Sequence, residues 1–182
     1  MTQLPSPQNV ARRWAPDTRT PIPKVADERA TLTAFLEWHR QTFLLKCSNV
    51  DPARLSDRGV PPSRLSLHGL LRHMAGVERW WFRQQFAGED IDLLYYSDDE
   101  PDQDFEQLSG DVAVALAVWN DECAHSRRIV EQASSLDDTG TDRSTGEPIT
   151  LRFVLLTMIA EYAQHNGHAD LLREQIDGAT GH

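Results

Sequence analysis

The sequence predicts an all-α fold: a four-helix bundle over residues 27–178, preceded by an extended proline-rich N-terminal arm over residues 1–26. Three observations predict it. Four stretches space their apolar residues at alternating three- and four-residue steps and are bounded by caps or breakers. No stretch alternates convincingly as a strand, and none repeats. Residues 1–26 hold five of the chain's ten prolines and have no helical period. A length of 182 residues suits one domain with a substantial core.

In the arm, Trp14 is too large an apolar group to leave wet, so the arm is expected to lie across the bundle or a partner. Asp27 is the expected N-cap of a first helix reaching about Ser48, with Leu32, Phe35, Leu36, His39 and Phe43 on one face. The connector that follows contains Pro61-Pro62 and cannot continue a helix. Ser66 caps a second helix that Gly88 ends; its face holds Leu70, Met74, Val77 and Trp81, with His73 and Trp80 on the flank. His68 lies about 140° from His73 around that helix and is expected at the surface or as a cap. The acidic, aperiodic stretch EDIDLLYYSDDEPDQD is expected to be a solvated loop, and without a glycine at the turn of SDDEPDQD it is not a calcium loop.

Asp104 with Gln107 forms an approximate capping box for a third helix, whose inward series is Phe105, Leu108, Val112, Ala115, Trp119, Cys123, Ser126 and Val130. Glu122 and His125 flank that series and are expected to be exposed. LDDTGTDRSTGEPI has turn chemistry throughout; Pro148 or Thr150 starts the fourth helix and Gly178 closes it.

The chemistry is concentrated on the fourth helix. Its predicted inward stripe is Leu151, Val154, Met158, Glu161, His165, His168 and Leu172. A carboxylate and two imidazoles in successive core positions need partners, since burying them unpaired costs several kcal/mol. Residues three or four apart on a helix reach a common point, so His165 can share a ligand position with either Glu161 or His168. Ligand sites in bundles are assembled from facing helices, which makes His73 the natural third member. Three N and O ligands with an open position are the pattern of catalytic zinc, and the same donors accept nickel, iron or manganese.

Other chemistries find no support. There is no G-x-S-x-G, no phosphate-binding glycine loop and no C-x-x-C. A net charge of -10 disfavours nucleic acid and anionic membranes as partners. No run approaches the roughly 20 apolar residues of a membrane span, and two isolated cysteines suit a reducing cytoplasm.

The segments SLHGLLRHMAGVERWWF and EYAQHNGHADLLRE resemble the two signature regions of the DinB-like family, particularly its mini-circle and mycothiol-dependent subgroup, over about residues 28–176. The resemblance implies a four-helix bundle holding a divalent metal, commonly zinc or nickel, on His73, Glu161 and His165. Glutamate replaces the histidine found at that position in many members, as in the mycothiol-dependent maleylpyruvate isomerase branch. His168 falls where many relatives have glutamine, which implies a role beside the ligands or in a substrate pocket, where His39 and Trp80 are further candidates. The implied activity is transfer of a low-molecular-weight thiol, mycothiol or similar, to a small electrophile through a metal-activated thiolate. A metal-hydroxide hydrolase and a non-catalytic, stress-associated metal-binding bundle are the alternatives. Exposed tryptophans and the arm make a homodimer a further expectation.

Overall fold

The computed structural model describes residues 12–13, 17–97, 99–106, 108 and 110–180. Its long helices are α1 (Glu28–Cys47), α2 (Leu67–Glu78), α4 (Val112–Gln132) and α5 (Leu151–Asp177), with a four-residue helix α3 (Gln103–Glu106) between α2 and α4. The long helices form an all-α bundle in which α1 packs along α5 and α2 along α4. Their ends follow the local chemistry. The side chains of Asp27, Ser66, Asp111 and Thr150 accept from backbone amides of the first turns of α1, α2, α4 and α5. Gly178 closes α5 at φ 72°, where a Cβ would be strained. No helix among the described residues is long and apolar enough to cross a membrane.

Four features depart from expectation. First, the second helix changes character: Arg79–Phe86 is π-helical. Glu78 and Phe82 are fully buried while Val77 and Trp81 are only half-buried. Second, the turn-rich loop folds as a hairpin of β2 (Thr139–Thr141) and β3 (Pro148–Thr150). Gly140 permits it, because a Cβ there would lie 2.4 Å from the Phe86 backbone. Third, the third long helix starts at Asp111 instead of Asp104, and Asp104 belongs to α3; Gln107 lies outside the described residues. Fourth, the acidic stretch is not simply solvated, since Leu94 and Tyr95 pack against the core.

Part of the arm is described. β1 (Arg12–Arg13) pairs in parallel with β4 (Ala179–Thr180). Arg19 donates to Thr42 Oγ1 at 2.8 Å and covers the Trp38 ring at 4.2 Å, tying this stretch to α1. Trp14 lies outside the described residues.

The bundle centre is polar. Arg40 of α1 donates to both oxygens of the fully buried Glu78 at 2.8 and 2.6 Å. Ser126 of α4 and Tyr162 of α5 donate to the same carboxylate at 2.6 and 2.7 Å. Trp119 Nε1 in turn donates to the Tyr162 hydroxyl at 2.9 Å. Burial alone would raise the Glu78 pKa, but the Arg40 charge and these hydrogen bonds outweigh it and leave the pKa lowered.

Arg40→Met, which strands a buried carboxylate, is expected to cost about 3–5 kcal/mol in urea unfolding, and R40M/E78M to recover much of that loss. Because the folded-state pKa of Glu78 lies below its ordinary 4.5, its stabilising contribution is complete above about pH 4.5 and is lost as pH falls through the folded value. Acidification below that point should therefore destabilise the wild type more steeply than R40M/E78M.

Candidate metal centre

The site lies where α2 faces α5, and α3 closes it from behind. His73 sits on α2 between the Ser66 cap and the buried Glu78, so the helix phase that buries Glu78 also fixes where His73 points. Its Nδ1 is 2.8 Å from Asp104 Oδ2, and its ring lies 5.0 Å from that of Phe105 at 32°. A carboxylate only accepts, so Nδ1 carries the proton and donates it to Asp104, leaving the Nε2 lone pair directed away from α3. On α5 the seam passes through the fully buried Tyr162 in place of Glu161. Glu161 therefore lies at the mouth with its side chain about 34% exposed, while His165, one turn later, is buried.

His73, Glu161 and His165 each present one ligand atom within 4.8 Å of the other two, and among the described residues no other such trio of His, Cys, Asp or Glu exists. The His73 and His165 rings are 4.7 Å apart, and His165 Nε2 lies 3.5 Å from Glu161 Oε2. The hydrogen bond with His165 holds the Glu161 pKa below its ordinary value against the opposing effect of burial, with the His165 and His73 charges adding to the lowering. Metal bonds of about 2.0–2.2 Å place tetrahedral ligand atoms about 3.3 Å apart. Small side-chain adjustments bring this trio to that spacing. Two imidazoles and one carboxylate fit a borderline divalent cation.

The other predicted residues distribute unevenly. His168 adjoins the cluster, its Nδ1 3.4 Å from His165 Nδ1. Its pKa is lowered by burial and then by the His165 charge. His39 meets the residue after His165: Asn166 Nδ2 donates to its carbonyl at 3.1 Å. Trp80 is half-buried on the π-helical segment, about two turns from His73.

Three expectations need correcting. His68 is buried, with Nδ1 2.9 Å from Ser56 Oγ, so it is neither a surface residue nor a cap. Glu122 is buried and pairs with Arg79 and Arg83 at 2.6 and 3.1 Å; these two arginines supply the counter-charge that an exposed reading left out. Asp104 is a buried partner of His73 and not a helix cap. The sequence held one signal for it, an acidic residue beside Phe105 in an otherwise polar run. Neither cysteine suits a nucleophile. Burial pushes Cys47 up to about 12 and Cys123 higher still, the Glu78 charge adding to the latter.

The profile of the family described as MST, mycothiol-S-transferase, matches residues 31–178, which include α2, α3 and α5 with every residue of the cluster. This chain belongs to the mycothiol-S-transferase family. No curated protein matches it. In this family member the cluster lies on the α2–α5 face, and both cysteines are buried.

Asp104→Ala removes the acceptor that selects the His73 tautomer. In ¹⁵N NMR of the metal-free protein, His73 should show a single Nδ1–H form in the wild type and a mixture of tautomers in the variant.

Proposed function

We propose that this chain is a divalent-metal-dependent S-transferase that uses mycothiol or a similar low-molecular-weight thiol in the reducing cytoplasm. His73, Glu161 and His165 would hold the ion, for which zinc fits the donors best. The observation that carries the reading is the convergence of these three ligand atoms within 4.8 Å, inside a chain of the mycothiol-S-transferase family. When bound, such an ion lowers the pKa of a coordinated thiol so that it is a thiolate near neutral pH.

The protein's own groups prepare the site for that chemistry. Asp104 keeps the His73 proton on Nδ1, so Nε2 is available as a ligand without rearrangement. Phe105 covers one face of the His73 ring and excludes water from it. One carboxylate against a divalent cation leaves a net charge of +1, which a thiolate neutralises. Partial exposure of Glu161 leaves the centre an entrance.

A single series tests the reading by elemental analysis, chelator competition and thiol-conjugation assays. The wild type should retain one equivalent of metal and conjugate thiol. His165→Ala should lose both, with activity down at least about 100-fold, and Asp104→Ala should weaken metal affinity about 10- to 100-fold. Full conjugating activity in metal-free His165→Ala would defeat the proposal, as would hydrolysis that proceeds without thiol.

A further inference from the structure

Beside the cluster, the segment 60–65 and α5 border a solvent-open cavity of about 180 Å³ lined by Val60, Ser63, Leu65, His168, Leu171 and Leu172. Resting on the thiol-transfer reading, we propose that this cavity binds the apolar group of the electrophile and selects acceptors carrying a substituent of about the size of a benzene ring.

Position is the first argument. His168 lines the cavity and also touches His165, with ring centroids 5.2 Å apart, so one imidazole separates the cavity from the candidate ligands. Leu172 follows His165 by seven residues and therefore shares its face of α5, about two turns along. An acceptor whose apolar end lies among these leucines extends its reactive carbon back toward His165.

Chemistry is the second. Four of the six lining side chains are aliphatic, and Ser63 Oγ already accepts from the Leu65 amide at 3.2 Å. Leu171 stands at the rim with 54% of its surface exposed. A cavity of about 150 Å³ lined by leucine, isoleucine and phenylalanine is known to take benzene, so the volume suits one ring or a short alkyl chain. Mycothiol is an N-acetylcysteine amide of a hydroxyl-rich glucosaminyl-inositol, and each hydroxyl buried here without a partner would cost about 1–3 kcal/mol. The thiol's sugar is therefore excluded and the acceptor's apolar end is favoured.

The transfer balances without a further reactant. With benzyl chloride, the thiol proton passes to buffer, sulfur forms the C–S bond, and chloride departs with the C–Cl electron pair.

The test uses the zinc-loaded full chain in two arms. In leucine-methyl NMR, toluene should give ring-to-methyl cross-peaks at Leu65, Leu171 and Leu172, weakened about fivefold or more in Leu171→Gln. With mycothiol as donor, the ratio of kcat/KM for benzyl chloride to that for chloroacetamide should fall about fivefold in Leu171→Gln. It should not move in Leu156→Gln, which alters an equally exposed leucine of the same helix away from the cavity. Toluene binding elsewhere overturns the assignment, as do cross-peaks showing that the chain's own aromatic groups or a second copy fill the cavity. A ratio unaffected by Leu171→Gln removes the cavity assignment alone, whereas absence of transfer to either electrophile by the wild type removes the thiol-transfer reading beneath it.

Discussion

Glu78 is a carboxylate with no exposed surface, and it stays charged because every long helix contributes to it: Arg40 from α1, its own α2, Ser126 from α4 and Tyr162 from α5. A stranded carboxylate at this depth would cost several kcal/mol out of a total stability of about 10 kcal/mol, so the helices are held in the rotation and register that satisfy it. That constraint reaches the candidate site directly. Tyr162 must point inward to donate to Glu78, which turns its neighbour Glu161 to the mouth and carries His165 to the face opposite His73. The residues that stabilise the bundle and those that would hold a metal are thus interleaved on the same two helices.

The site is two-sided. Behind His73 stand a buried carboxylate and an aromatic ring, which orient one imidazole and cover one of its faces. In front of His165 the surroundings turn aliphatic at Leu65, Leu171 and Leu172, with His168 at the boundary. On the proposed function, a wall that positions a ligand and an apolar wall that receives an acceptor would divide the work of thiol transfer between them. The buried cysteines stay outside it, pushed toward the neutral thiol by their surroundings.

Much of this was legible in the sequence wherever a single helix decides the outcome. The caps Asp27, Ser66 and Thr150, the stop at Gly178 and the spacing of Glu161 with His165 are local facts, and local periodicity found them. What escaped depends on contacts distant along the chain. Asp104 meets a partner 31 residues away, and an acidic residue beside Phe105 does not by itself say which group will reach it. Glu78 follows the buried Met74 by four residues and is in phase with the core, but a carboxylate reads as exposed when its partner, Arg40, is 38 residues away. Glu122 and His68 follow the same rule: whether a charged or polar group is buried depends on the partner that reaches it, here Arg79 with Arg83, and Ser56.

If side chains of α2 and α5 surround one divalent cation, anomalous diffraction at a metal absorption edge from crystals of the freshly purified full chain will locate it. One strong peak is expected within bonding distance of His73 Nε2, a Glu161 oxygen and His165. A peak coordinated elsewhere, or none after equilibration with stoichiometric zinc, would contradict it.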